Sequence, residues 1–128
     1  MATTYHNAAL NISQSTTSGT TYSASGDFLT AGSAETLILK NIQISNTTPG
    51  VSGTFYDENV NVYLIDSSTS TTHSLATFIN LPKFSSIDIL SDNLVLESGD
   101  KVQIYITGSS GGTITYKADA VGSYLKVT

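Results

Sequence analysis

Wherever the chain is periodic, apolar residues recur at every second position. In VNVYLID, Val60, Val62 and Leu64 alternate with Asn61 and Tyr63; in KVQIYIT, Val102, Ile104 and Ile106 alternate with Gln103, Tyr105 and Thr107. Ile87 and Ile89 bracket Asp88, and Ile114, Tyr116 and Ala118 share one phase of TITYKADA. Successive side chains of a strand point to opposite faces, so each stretch reads as a strand with one face in a core. No window carries the i, i+3, i+4, i+7 stripe of a surface helix. The longest stretch, ETLILKNIQIS, alternates through Ile38, Ile42 and Ile44 with Lys40 out of step. A bulge, or a passage from one sheet to another, near Lys40 and Asn41 would account for the change of phase.

Turn residues punctuate these runs. Ser25-Gly26-Asp27, Ala31-Gly32-Ser33, the stretch 48–53 with Pro49, Gly50 and Gly53, Asp66-Ser67-Ser68, Leu81-Pro82, Ser91-Asp92-Asn93, Ser98-Gly99-Asp100 and GSSGG at 108–112 all separate strand-like segments. The spacing predicts strands around 20–24, 36–45, 54–65, 72–79, 85–90, 94–96, 101–107 and 113–127. Seven to eight short strands are expected to form an all-β, two-sheet antiparallel sandwich, of either jelly-roll or immunoglobulin-like order. Residues 1–19 are expected to be an extended polar N-terminal arm, and residues 20–128 the sandwich domain. Within LVLESGDKVQIYI, Gly99 is expected to supply the left-handed conformation of a short antiparallel connection, and Asp100 to pin it by accepting a backbone hydrogen bond. Leu94 and Leu96 before the turn would face the same core as Val102, Ile104 and Ile106 after it.

Length and composition support one core. For 128 residues the folded surface should be about 6,500 Å², with roughly two-thirds of the unfolded chain's surface buried. There is no cysteine, hence neither disulfide nor thiolate metal site. Net charge is −5 with five lysines and no arginine, and Lys40, Lys83, Lys101, Lys117 and Lys126 are scattered. Nucleic-acid binding draws on clustered cations, so no nucleic-acid partner is expected. No apolar run approaches the roughly 20 residues that span a bilayer, and the N-terminus lacks the basic and apolar regions of a signal peptide. Charged residues are only 12% of the chain, whereas serine and threonine number 19 each. Such a hydroxyl-rich surface suits strands and turns, and places where subunits meet.

Candidate chemistry is sparse. His6 and His73 have no carboxylates at metal-ligand spacing and read as surface residues. Asp57 and Glu58 lack the alternating oxygens and glycine of a calcium loop and read as guards of a strand edge. The glycines of GSSGG join two strands instead of opening a helix and have no lysine partner, unlike a phosphate cradle. No nucleophile elbow or Ser/His/Asp arrangement stands out. The chain is therefore expected to be non-enzymatic, with no catalytic residue, metal or cofactor. Of seven tyrosines, Tyr63 and Tyr105 fall on the phase opposite the core residues of their strands. Large rigid side chains with a polar tip at such positions are candidates for a subunit interface or for stacking on sugar. At the C-terminus, Val121, Leu125 and Val127 share one phase to the end of the chain, which suggests a strand tied into its own sheet or a neighbour's.

The succession SAETLILKNIQISN, VNVYLID, LATFINLPKFSSIDIL, LVLESGDKVQIYITGSSGG and SYLKV resembles small all-β virion proteins of tailed bacteriophages. The resembling elements are Asn46 at a strand end, the Leu81-Pro82 corner and the turn from Leu96 to Asp100, across residues 34–127. A Leu-x-x-Gly-Asp turn also occurs in tumour-necrosis-factor-like and C1q-like modules. The resemblance implies a structural role in the virion, foremost as a capsid decoration or cement protein assembled in the host cytoplasm. Its partners would be the major capsid protein or neck and tail subunits, and the chain itself a homo-oligomer or bound to a lattice. It transfers no site residue. The alternatives are a receptor- or glycan-binding module of a tail fibre or adhesin, and a neck or tail component.

Overall fold

The computed structural model describes residues 2–16, 21–48, 58–82, 84–109 and 114–128. The turn after Thr48, Asp57 and most of the GSSGG loop lie outside them. Every regular element among the described residues is a strand: β1 (Thr3–Thr16), β2 (Thr21–Thr30), β3 (Thr36–Leu39), β4 (Gln43–Asn46), β5 (Glu58–Asp66), β6 (Thr71–Leu81), β7 (Ser86–Asp88), β8 (Leu94–Leu96), β9 (Lys101–Ser109) and β10 (Ile114–Val127). They form two antiparallel sheets. In the first, β10 pairs with β1 on one side and with both β3 and β4 on the other; β3 pairs with β8 and β4 with β7. The second runs β2–β9–β5–β6.

The ten strands reduce to eight structural positions. β3 and β4 lie end to end along β10, and β8 and β7 lie end to end along them. With each pair taken as one interrupted strand, the sheets are β1–β10–β3/β4–β8/β7 and β2–β9–β5–β6. The chain passes between sheets at nearly every connection, and the first and last strands lie side by side. That is the jelly-roll order, one of the two topologies the turn spacing allowed.

Two sequence expectations need correction, and a third resolves to one of its two alternatives. Residues 3–16 are not an arm. β1 pairs with β10 along fourteen positions without a register shift, from Thr3↔Val127 to Thr16↔Ile114, and buries Ala8 and Ile12. The turn at Gly99 does not close a hairpin, because β8 pairs in the first sheet and β9 in the second. Leu96 and Val102 do face one core, but across the sandwich. The change of phase at Lys40 is a bulge within one sheet, not a crossing: three residues, 40–42, oppose Gly122 and Ser123. The Lys40 N–H donates to the Ser123 carbonyl (2.9 Å), and the Asn41 side-chain oxygen accepts from the Ser123 N–H (2.8 Å). The extra residue moves the inward phase from Leu37 and Leu39 to Ile42, Ile44 and Asn46, all buried.

Between the sheets, Leu37, Leu39, Ile44, Leu96 and Tyr116 meet Val60, Val62, Ile104 and Ile106, all at most 1% exposed. Each such aliphatic side chain contributes about 1.5–3 kcal/mol of transfer free energy. A bulge between Asp27 and Leu29 lets Phe28 and Leu29, adjacent in sequence, both turn inward. The accessible surface is 6657 Å², close to the value that mass alone implies.

Candidate assembly surfaces

The Gly99 corner is a knot of loops. Gly99 has φ of +87°, where a side chain would be strained, and a Cβ there would lie 2.5 Å from the Ser67 hydroxyl oxygen. The buried Asp100 carboxylate accepts from the Glu97 N–H on one oxygen and from the Ser67 N–H on the other, both at 3.0 Å. The Ala31 N–H donates to the Asp100 carbonyl, and the Gly99 N–H to the Ala31 carbonyl, each at 2.9 Å. One turn thereby joins the connections β2–β3, β5–β6 and β8–β9. Both carboxylate oxygens are engaged by backbone donors, which gives Asp100 a structural task. Glu97 is exposed and does not share a site with it.

A second buried polar cluster sits at the other end of the sandwich. Asn46 donates from Nδ2 to the Leu81 carbonyl (2.9 Å) and accepts at Oδ1 from the Thr48 N–H (3.0 Å). The Thr48 hydroxyl donates to Glu58 Oε1 (2.6 Å) and accepts from the Lys117 N–H (3.0 Å). Glu58 is thus fully buried and hydrogen-bonded, not the solvated edge guard expected from Asp57-Glu58. A buried carboxylate requires such a partner. Asn46 and the Leu81-Pro82 corner, far apart in sequence, are joined directly by this cluster.

Tyr63 and Tyr105 lie on the outward face of the second sheet, half-buried. Tyr63 opposes Gln103, and Tyr105 opposes Asn61, so the two tyrosines are diagonal neighbours on adjacent strands. Two other aromatics, unremarked in the sequence, protrude more. Thr77 and Phe78 form a bulge between the pairs Val60↔Ile79 and Val62↔Ala76, with the Phe78 N–H donated to the Asn61 side-chain oxygen (2.9 Å). Phe78 has φ of +49° and is 70% exposed; Phe84 has φ of +62° and is 78% exposed. A bulky residue in the left-handed region is an outlier that costs of order 1–3 kcal/mol. His6, expected in an arm, stacks on Tyr124 with ring centroids 5.2 Å apart, whereas His73 is exposed on β6.

The four sheet edges differ in how they are guarded against pairing with another chain. β7 and β8 are three residues each. β6 is broken by two register shifts against β5. β2 carries a bulge and the Asp27–Lys101 ion pair (3.6 Å). β1 has fourteen residues, no register shift, no proline and no lysine, arginine, aspartate or glutamate. Among the described residues it pairs on one side only. It is the edge without the usual protections.

Among the described residues, no cluster of three or more histidine, cysteine or acidic side chains could hold a metal, and no helix is long and apolar enough to cross a membrane. No known family matches the chain, and no curated protein matches it in sequence. Solved structures give distant likenesses. A chain in the structure of infectious bursal disease virus, Gx strain, aligns over 98% of this chain and 32% of its own length, at 18% identity and a TM-score of 0.44. A chain of the disulfide-linked pili that form Bacillus endospore appendages aligns over 100% and 91%, at 11% identity and a TM-score of 0.42. A family 16 carbohydrate-binding module aligns over 80% and 70%, at 10% identity and a TM-score of 0.31. The chain spans about a third of the length of the first of these.

Proposed function

We propose that this chain is a non-enzymatic structural subunit of a virus particle, most specifically a decoration or cement protein on the head of a tailed phage. The observation that carries the reading is the unguarded β1 edge. A soluble jelly roll with no obligate neighbour would be expected to blunt a fourteen-residue edge as it blunts its other three. Left open, the edge offers its backbone N–H and C=O groups to a strand of an adjoining subunit, which gives affinity without charged contacts. The resemblance to phage virion proteins supplies the setting, and the rigid sandwich supplies the body that bridges neighbours.

The test uses purified particles of the virus that encodes the chain. The chain should be present in them by mass spectrometry, and particles stripped of it should lose resistance to heat and regain it when the protein is added back. Adding Asn7→Lys with Ala9→Lys, both exposed positions of β1, should abolish the rescue while the domain stays folded. Absence of the chain from particles would refute the reading. A location at the neck or tail instead of the head would show in the same particles by electron microscopy. The second reading, a glycan-binding module, rests on the diagonal pair Tyr63 and Tyr105. It predicts glycan-array binding that Tyr105→Ala removes, and a blank array would dismiss it.

A further inference from the structure

The outward face of the first sheet carries an apolar row that crosses all four strand positions. Tyr5 opposes Leu125, Leu125 opposes Ile38, and Ile38 opposes Val95. Directly opposed residues of an antiparallel sheet share a face. That face is the outer one, because Leu37, Leu39 and Leu96, one position away along their strands, are buried in the core. Tyr5 is 78% exposed and Val95 52%, at the two ends of the row; Leu125 and Ile38 between them are half-buried. Four residues further along β10, Val121, 47% exposed and opposite Ala9, extends the apolar surface.

We infer that a second copy of this chain docks on this face, row against row, to form a two-fold dimer. Three features select a copy of the chain over another occupant. First, the row is flanked on the same phase by Thr3, Val127 and Thr36 on one side and by Asn7 and Ser123 on the other, uncharged residues of which all but Val127 carry a hydroxyl or amide group. Two charges of opposite sign stand at its border, Lys40 two positions after Ile38 and Glu97 just beyond β8. A chain of net charge −5 repels its own kind, but at this border the two charges are of opposite sign, so no excess of like charge opposes a second copy. Second, a row running straight across the strands is self-complementary: rotation about a two-fold axis through its centre lays Tyr5 over the partner's Val95 end and Leu125 beside Ile38. Third, the area suffices. Four strands about 4.8 Å apart and about eight residues at about 3.3 Å offer roughly 500 Å² in projection. Side-chain relief brings this toward the roughly 800 Å² per partner of a standard interface. An apolar centre inside a polar rim is also how such interfaces are built.

The inference does not depend on the virion reading, since it concerns the isolated protein. The experiment is sedimentation equilibrium of the full chain from micromolar to near-millimolar concentration, with circular dichroism to verify folding. The wild type should move from the 13.4 kDa chain mass to twice that value. Tyr5→Ser combined with Val95→Lys should weaken dimerisation at least tenfold, whereas Tyr63→Ser with Tyr105→Ser should leave it unchanged. A wild type that keeps the monomer mass throughout would overturn the proposal. So would a dimer that survives the Tyr5 and Val95 changes, or one lost instead in the Tyr63 and Tyr105 variant. A chain that dimerises but is missing from virus particles would leave the dimer standing and remove only the virion reading.

Discussion

Gly122→Ala isolates a steric effect that the structure quantifies. Gly122 lies on β10 opposite the Lys40–Ile42 bulge, and a Cβ built there would stand 2.2 Å from the Asn41 carbonyl oxygen and 3.1 Å from the Phe28 ring. No left-handed backbone is involved, so conformational strain does not contribute. The carbonyl belongs to the bulge itself, and the added methyl must push it by about 1 Å. Overpacking of a dense interior costs about 1–3 kcal/mol. The shift also strains the Lys40–Ser123 and Asn41–Ser123 hydrogen bonds, worth about 1 kcal/mol each. Alanine returns about 0.4–1 kcal/mol by restricting the unfolded chain. The net loss is then about 2–4 kcal/mol, a large share of the 5–15 kcal/mol of a typical domain. At about 3–5 °C per kcal/mol for a chain of this size, Tm in a thermal melt should fall by roughly 10 °C. Gly26→Ala is the control: the atoms nearest its Cβ would be the Leu10 methyl groups, at 3.0 Å, the far end of a side chain that can rotate away. A Gly122→Ala melt within about 2 °C of wild type would refute the account of the bulge.

Three more predictions follow from the polar and strained positions. Asn46→Ala should cost about 2–4 kcal/mol in urea denaturation, because it strands the Leu81 carbonyl and the Thr48 N–H in the interior; a loss below about 1 kcal/mol would mean that water reaches them. The Glu35 carboxyl is held below its ordinary value of 4.5, first by the Lys126 ammonium 2.6 Å away and then by the Gly32 N–H. A depressed carboxyl gives stability that is present above its unfolded value and lost as pH falls through the folded one. Urea midpoints of wild type and Glu35→Gln should therefore differ at neutral pH and converge as pH drops below 4.5, with the gap narrowed by salt; parallel curves would contradict this. Phe78→Asn should leave Tm unchanged or raise it by a few degrees, since asparagine tolerates the left-handed backbone and little burial is lost at a 70% exposed side chain. A clear drop in Tm would show that the phenyl ring packs in place.

The sequence made the core legible because period-two alternation and burial are the same fact viewed along a strand. Val60, Val62, Val102, Ile104 and Ile106 are inward where the alternation puts them. Even the odd phase at Lys40 foretold the bulge. Pairing was less legible. Leu94, Leu96 and Val102 face one core whether their strands form a hairpin or span two sheets, so hydrophobic phase cannot separate the two. β1 is hard to read from sequence although Ala8, Leu10 and Ile12 sit at every second position, because polar residues, mostly Ser, Thr and Asn, fill most of the rest of the segment. The burial of Glu58 is hidden for a related reason: a carboxylate looks solvated until Thr48 is brought beside it. The exposed phenylalanines had no sequence signal, since nothing local reports that a bulge turns Phe78 outward.

Charge placement joins these findings to assembly. Asp100 locks the loops at one end and Glu58 lies buried near the other. Asp66 caps its own turn through Ser68 and Thr69. Glu35 and Lys126 pair beside the chain termini, and Asp27 and Lys101 clamp the β2 edge. These charges work within the subunit, and neither the residues of β1 nor the four of the Tyr5–Val95 row carry a charge of their own. Contacts made through those two surfaces rest on backbone hydrogen bonds and apolar burial. Salt screens charge pairs, whereas excluded salts such as sulfate strengthen apolar burial. Association through either surface should therefore hold or tighten as sulfate is added, and with −5 net charge the screening of self-repulsion acts in the same direction. Dissociation at high salt would show that a charged contact outside these two surfaces carries the assembly.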